Sequence, residues 1–132
     1  MKFLLDTDIC IYLLKQHPLV LASFARHPMS DIGISTITVA ELEFGVAKSG
    51  STKNKKTLDS WLSLLQQPPF DSRASRAYGQ VRAELESKGT PIGPLDTLIA
   101  AHAIALSLTL LTNNVREFQR ISGLNIENWT TP

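Results

Sequence analysis

The sequence predicts an α/β fold in which a central parallel β-sheet of about five strands is flanked by helices. Two patterns support this prediction: short apolar runs of strand length, and longer segments in which apolar residues recur at helical spacing. The two kinds of segment alternate along the chain, an order that is typical of parallel strands joined by crossover helices. Because the chain has 132 residues, 43% of them hydrophobic, it suits a single domain over residues 1–132 with its own core.

The strand predictions rest on short apolar runs that end at polar or turn-forming residues. The clearest run is Lys2-Phe3-Leu4-Leu5, which stops at Asp6. Its apolar character indicates a strand buried between layers of helices. The strands predicted in this way lie at residues 2–5, 33–35, around Phe70, 108–111 and 125–129.

The helix predictions rest on apolar spacing between capping and stopping residues. Residues 53–67 are an example, since Leu58, Leu62 and Leu65 recur at helical spacing before Pro68 stops the helix. Further helices are predicted from Thr7 or Asp8 to about Lys15 and over residues 19–27, 38–48, 73–88 and 94–106, with a short helical piece after Asn114.

Charge and composition exclude several classes of function. The formal net charge is only +1, so a nucleic-acid partner would have to meet a local patch or a metal ion, not a global positive field. The single cysteine, Cys10, cannot form an internal disulfide. Asp6 and Asp8 interrupt the apolar N-terminal stretch, and no segment approaches the roughly 20 apolar residues of a membrane span. We therefore expect a soluble cytoplasmic protein that does not associate with membranes.

Three acidic residues, far apart in the sequence, occupy equivalent places in the predicted fold. Asp6 ends a strand, whereas Glu41 and Asp96 lie in the first turns of predicted helices. In an open parallel sheet, the carboxyl ends of the strands and the helix starts beyond them share one edge, where ligands bind. We therefore expect these three carboxylates to converge.

Converged carboxylates repel one another unless they are protonated or neutralised by a cation. Oxygen ligands without histidine or cysteine suit Mg²⁺ or Mn²⁺. Such ions support the attack of water on a phosphodiester, because they lower the pKa of the water and stabilise charge on the attacking and leaving oxygens. The predicted chemistry is therefore metal-dependent hydrolysis of a nucleic acid.

Each of these acids also has a structural interpretation. Asp6 could cap the helix that follows it, although its neighbours also offer capping side chains. Glu41 lies three residues after Thr38, as in a capping box, where the glutamate bonds to the amide of the cap residue. Asp96 could act only as a favourable charge at a helix N-terminus. Taken one residue at a time, the sequence leaves both interpretations open.

Four segments of the chain resemble the PIN-domain ribonucleases, and more closely the VapC toxins of bacterial toxin–antitoxin pairs. These segments are residues 4–8, 37–45, 93–103 and 111–118. They follow the order of the family, so the resemblance covers nearly the whole chain. One such segment would be weak evidence, but four in this order are specific.

The resemblance implies a PIN-like sandwich with an acidic pocket that holds Mg²⁺ or Mn²⁺. Asp6 and Asp96 would be the main metal ligands, and Glu41 would bind metal or orient the attacking water. Many relatives carry aspartate at a fourth position, where this chain has Asn114. Glu117 is then the candidate to support the fourth position together with Asn114.

Two segments, residues 88–94 and 112–118, resemble the enteric group of VapC toxins. That resemblance implies an endoribonuclease that inhibits translation by cutting the initiator tRNA in its anticodon stem-loop. Arg116 and Thr112 are the residues predicted to contact the RNA. A loop is a plausible target, since its bases are splayed and its backbone is accessible.

The resemblance also implies protein partners. A cognate VapB antitoxin would cover the acidic pocket with its C-terminal tail. The toxin would form a homodimer within the toxin–antitoxin complex, and that complex would bind operator DNA only through the antitoxin.

Three other functions fit parts of the sequence. In a haloacid-dehalogenase-type phosphatase, Asp6 would be the nucleophile and Asp8 the general acid, but Asp96 lacks the acidic companion that such an enzyme needs. A catalytically silent binding module would not need the three acids. The third alternative is a PIN nuclease for RNA maturation.

Overall fold

Four short parallel strands form the central sheet of the protein, and the computed structural model describes all 132 residues. The strands are β1 (Phe3–Leu5), β2 (Ile32–Ile34), β3 (Thr109–Leu111) and β4 (Ile126–Glu127). They lie in the order β2-β1-β3-β4, and every neighbouring pair is parallel. The predicted α/β fold with a parallel sheet is therefore confirmed, with four strands in place of five.

Seven helices flank this sheet, and they follow the predicted helices closely in number and order. They are α1 (Thr7–Leu14), α2 (Pro18–Ala25), α3 (Thr36–Ser49), α4 (Thr52–Leu62), α5 (Ser72–Ser87), α6 (Pro94–Ala105) and α7 (Val115–Phe118). One turn of 3-10 helix, Met29–Asp31, leads into β2. None of the helices has the length and apolar character needed to cross a lipid bilayer.

The side chains of β1 alternate between two separate hydrophobic clusters, because successive strand residues point to opposite faces of a sheet. Phe3 and Leu5 pack with residues of α1 to α4 on one face. Leu4 packs with residues of α5, α6 and α7 on the other face. Core on both faces explains why this strand is apolar without interruption.

The predicted fifth strand around Phe70 is wrong. The chain instead makes a single parallel bridge between Gly33 of β2 and Gln66, and α4 ends at Leu62, earlier than predicted. Pro68 and the proline after it carry no amide hydrogen, so the segment beyond Gln66 cannot continue a strand ladder.

A buried histidine links α6 to the start of α3. His102 is 1% exposed, with Nδ1 2.9 Å from the Ser35 hydroxyl and Nε2 3.1 Å from the Pro69 carbonyl. Because a carbonyl can only accept a hydrogen bond, Nε2 carries the hydrogen and the neutral ring accepts from Ser35 at Nδ1. Burial lowers the pKa of His102 and so favours this neutral form.

We expect His102→Phe to destabilise the protein, because the Ser35 hydroxyl and the Pro69 carbonyl lose their partner. Each buried group left without a hydrogen bond costs about 1–3 kcal/mol. A histidine whose pKa is lowered by folding stabilises the protein above its unfolded pKa of 6.5 and loses that contribution as the pH falls below it. The difference in unfolding free energy between the two proteins, measured by urea denaturation, should therefore be smaller at pH 5 than at pH 7.5. An equal difference at both pH values would contradict the neutral form of His102.

Candidate active site

Asp6 lies at the carboxyl end of the central strand β1. Its backbone N–H donates to the Leu111 carbonyl of β3 and extends the sheet ladder by one bond. The side chain is 3% exposed. Oδ1 accepts from the Thr7 amide at 2.8 Å, and Oδ2 accepts from the Thr112 hydroxyl at 2.8 Å. Asp6 itself therefore caps α1, and neither Thr7 nor Asp8 does so.

Thr112 directly follows β3. Because β3 pairs with β1, the Thr112 hydroxyl lies close to Asp6 at the end of β1. The same hydroxyl oxygen accepts from the Asn114 amide at 2.9 Å. Thr112 is fully buried, so its single hydroxyl hydrogen is used inside the protein. Thr112, which the sequence predicts to contact RNA, thus hydrogen-bonds to Asp6 in the folded protein.

Glu41 lies deeper in its helix than the sequence predicts. Ser35 caps α3 by accepting from the Ile37 amide at 3.1 Å, so Glu41 is not in the first turn and the predicted capping box with Thr38 is wrong. The Glu41 Oε1 atom instead accepts from the Thr7 hydroxyl at 2.7 Å. This bond joins α3 to α1 directly after Asp6.

Asp96 lies in the first turn of α6, as predicted. The helix begins at Pro94, and Gly93 occupies the cap position without a side-chain bond. A Cβ atom at Gly93 would lie 3.6 Å from Asp96 Oδ2, so the carboxylate lies against the loop that precedes its helix. The Asp96 side chain is half-buried.

The pKa values show that the acids share one electrostatic environment. Burial raises the pKa of Asp6 to about 7, and the charges of Asp96 and Asp8 add to the rise, while the hydrogen bonds from Thr112 and Thr7 oppose it. Burial also raises the pKa of Asp96 to about 6, with further contributions from Glu117, Glu41 and Asp8. Asp96 is therefore linked electrostatically to Asp6 and to Glu41, although both are far from it in the sequence.

The two side chains predicted to support the fourth position, Asn114 and Glu117, contact each other. The Asn114 side-chain amide donates to Glu117 Oε2 at 3.1 Å, and the charge of Glu117 is the largest of the carboxylate contributions to the raised pKa of Asp96. Glu117 thus acts on the same site as the other acids. Arg116, the predicted RNA contact, is exposed at the start of α7.

The donor set fits a hard divalent cation in its chemistry. No three of the His, Cys, Asp and Glu side chains are close enough together to hold a metal ion, so the acids do not form a closed coordination cluster. Burial first, and then the neighbouring negative charges, raise the pKa of Asp6 and Asp96, so protonation or a cation would stabilise both groups. Carboxylate oxygens without nitrogen or sulfur ligands suit Mg²⁺-like ions.

A groove of about 530 Å³ opens beside these acids. Thr7 and Glu41 line it, together with apolar side chains from α1, α3 and α4. Its apolar lining residues are Ile11, Leu14, Leu42, Val46 and Leu58. The acidic site and this apolar groove therefore share a border.

Sequence reasoning did not single out the Thr7 hydroxyl for the site, and it predicted an RNA contact for Thr112 in place of the bond to Asp6. The Thr7 bond to Glu41 and the Thr112 bond to Asp6 join residues that are 34 and 106 positions apart. The only signal for them was position, since each threonine follows a predicted strand within two residues. A position just after a strand makes a side chain a candidate for the site but does not predict its hydrogen-bond partner.

Comparison with known proteins places this architecture in a family. A model of the PIN domain matches residues 3–124. Ribonuclease VapC2 of Rickettsia felis is 45% identical over 134 residues, with 98% of both chains covered. The tRNA(fMet)-specific endonuclease VapC of Salmonella typhimurium is 42% identical over 130 residues, again with 98% of both chains covered.

Two solved structures are similar over nearly the whole chain. VapBC2 from Rickettsia felis, bound to a DNA fragment from the promoter, has a TM-score of 0.85 at 43% identity and covers 98% of this chain and 99% of that chain. DNA-bound VapBC from Salmonella typhimurium has a TM-score of 0.91 at 41% identity and covers 98% of both chains. The likeness therefore extends across the sheet and the helices.

We expect Asp96→Asn to stabilise the protein in EDTA at neutral pH. A carboxyl group whose pKa is raised by folding, here from 3.8 to about 6, adds stability below its unfolded pKa and loses it as the pH rises through the folded pKa. Asparagine has no ionised form, so the variant does not lose this stability at neutral pH. The variant should therefore have the higher Tm at pH 7.5, and the two proteins should converge near pH 4.

The matched control is Asp59→Asn, which removes an exposed carboxylate of α4 that pairs with Lys55. This control should show no gain in Tm at pH 7.5. Thermal unfolding of the three proteins across this pH range measures the effect. A lower Tm for Asp96→Asn at pH 7.5 would contradict the raised pKa of Asp96.

Proposed function

The chain belongs to the PIN-domain family, within which it is a VapC-type ribonuclease, and we propose that it cleaves transfer RNA with Asp6, Glu41 and Asp96 as catalytic carboxylates. The observation that supports this assignment most directly is the electrostatic link of Asp96 to Asp6 and to Glu41 at the carboxyl edge of the sheet. Burial and the neighbouring charges raise the pKa of Asp6 and Asp96 there. That edge is where α/β folds bind their ligands.

PIN-domain nucleases use a divalent metal ion, and we propose that Asp6 and Asp96 hold Mg²⁺ or Mn²⁺ here, with Glu41 as the third acid. When bound, the ion supplies a water of lowered pKa and stabilises the charge that develops on the phosphodiester oxygens. Asp6 and Asp96 must be ionised to bind a cation. Activity should therefore rise with pH through the range in which these two groups lose their protons.

Glu41 is suited to orient the attacking water. The Thr7 hydroxyl holds its Oε1 atom at 2.7 Å, which leaves Oε2 to accept a hydrogen bond or a proton from water. Because Thr7 directly follows Asp6, one short segment controls the place of both carboxylates. Glu117 and Asn114 complete the site on the side of Asp96, as support for the fourth position.

The proposed substrate is transfer RNA, and the initiator tRNA in particular. The support comes from the Salmonella typhimurium relative, which is described as a tRNA(fMet)-specific endonuclease. Arg116 is exposed beside Asn114, so its guanidinium is available to contact a phosphate of the RNA. Since the enzyme has to work where tRNA is, we also propose a cytoplasmic location.

The proposed partner is a VapB antitoxin, in line with the similar structures that are described as VapBC complexes. The groove beside Thr7 and Glu41 has apolar walls that an amphipathic segment could cover. A segment seated there would lie next to the acids and block access of metal or RNA. We further propose a homodimer within the toxin–antitoxin complex, with operator DNA bound only through the antitoxin.

The first test is cleavage of total tRNA by the purified, antitoxin-free protein with Mg²⁺ or Mn²⁺. We expect discrete fragments that disappear in EDTA. The cleavage rate should fall by about 100-fold or more in Asp96→Asn and in Glu41→Gln, the range found when charge-stabilising groups or general bases are lost. Asp59→Asn should cleave as the parent does. Intact tRNA with the parent, or equal cleavage by all variants, would overturn the proposed function.

The second test concerns Thr112, which lowers the pKa of Asp6 through its hydrogen bond. Thr112→Val removes that bond, so the pKa of Asp6 should rise and the rising limb of the pH–rate profile should move to higher pH. We expect the rate to fall by about 10- to 100-fold, as for other partners that orient metal ligands. Thr112→Ser should restore both the rate and the profile. A lower rate with an unmoved profile would contradict this role.

A further inference from the structure

A second cavity, of about 250 Å³, adjoins the loop that carries Asp96 into α6. Gly93 lies against the Asp96 carboxylate, where a Cβ atom would be 3.6 Å from Oδ2. Its loop neighbours Ile92 and Pro94 line the cavity instead. Thr97, which directly follows Asp96, lines it as well. The cavity and Asp96 thus share this loop and the first turn of α6.

The cavity combines an apolar floor with a polar rim. Leu85, 2% exposed, and the partly buried Ile92 contribute apolar surface. Tyr78, Arg82 and Glu86 follow at four-residue intervals along α5 and therefore form one row on the helix surface.

The polar row is ordered by its own hydrogen bonds. Arg82 Nη1 donates to the Tyr78 hydroxyl at 3.0 Å, and Arg82 Nε donates to Glu86 Oε1 at 3.0 Å. These bonds use two of the five guanidinium N–H groups and one of the two carboxylate oxygens. The arginine and glutamate side chains remain 59% and 57% exposed, so donors and acceptors are both available to a ligand.

We propose that this cavity binds an unpaired nucleobase of the RNA substrate, from a nucleotide close to the cleaved phosphodiester. This inference rests on the proposed function, because it assigns a binding place to part of the same substrate. A base needs an apolar surface or an aromatic face to stack on and polar groups for its edges. The floor, Tyr78, and the Arg82–Glu86 pair offer these features together.

The size and charge of the cavity favour a base over other ligands. Sites for drug-sized molecules measure about 300–1,000 Å³, so a cavity of about 250 Å³ suits a single ring system. A phosphate is disfavoured, because Glu86 already balances the charge of Arg82. A helical segment of a protein partner fits the larger apolar groove beside Glu41 better than this cavity.

The test uses a synthetic RNA stem-loop that contains the cleavage site mapped for the parent protein. A series of these RNAs carries one abasic nucleotide at each position on either side of the cut. We expect one position at which loss of the base lowers kcat/KM by about 5- to 150-fold, the range associated with stacking of one base. Tyr78→Ala should cause a similar loss on the intact RNA and little further loss on that abasic RNA.

The controls separate base binding from a general effect on α5. Tyr78→Phe keeps the ring and should retain most of the activity. Arg82→Ala should lower kcat/KM on the intact RNA, whereas Arg76→Ala, which removes an exposed arginine of the same helix outside the cavity, should not. Thermal unfolding checks that each variant is folded.

Two outcomes would overturn the base site and leave the proposed function standing. One is equal behaviour of Tyr78→Ala and Arg76→Ala on the intact RNA. The other is that Tyr78→Ala lowers kcat/KM by the same factor on every abasic RNA. If Tyr78 contacts one base, the effects of losing the tyrosine and losing that base should not add, whereas independent effects add. If the folded parent cleaves no RNA, the proposed function fails and the base site fails with it.

Discussion

The burial of a carboxylate at one edge of the sheet, near other acids, is the constraint around which the rest of the structure is arranged. Asp6 is buried among other acids, and its pKa of about 7 records how unfavourable its ionised form is without a cation. The sheet holds it there, because its backbone N–H continues the ladder to Leu111. Burial of Leu4 and Leu5 on opposite faces of β1 anchors that strand in two hydrophobic clusters. The hydrophobic core thus provides the free energy that keeps an unfavourable site in place.

The sequence predicted those features that depend on local patterns. Apolar runs and helical spacing identify the parallel sheet and its helices, and the place of Asp6 and Asp96 follows from the ends of those elements. Glu41 was placed wrongly within its helix, because Ser35 and Thr38 are both good cap residues and only the structure shows that Ser35 is used. The strand predicted around Phe70 is wrong for a different reason, since a short apolar stretch after two prolines carries no clear strand signal.

The hydroxyl contacts could not be predicted, because they depend on which strands are neighbours. Thr112 reaches Asp6 only because β3 pairs with β1 in a register that aligns Leu111 with Leu5. Thr7 reaches Glu41 only because α3 packs against α1 with Glu41 on the facing side. Neither the pairing order of the strands nor the rotation of a helix about its own axis can be obtained from one sequence.

The chemical nature of these contacts explains how the site can hold its acids and still attract a cation. The groups that hydrogen-bond Asp6 and Glu41 are hydroxyls and a backbone amide. His102, which ties α6 to the cap of α3, is neutral. A lysine or arginine in any of these places would lower the pKa of the carboxylates and stabilise the free protein, but it would also supply the positive charge that the metal ion should supply. Neutral donors fix the directions of the carboxylates without cancelling their charge. The metal-free protein is therefore less stable, and the same uncompensated negative charge attracts a divalent ion.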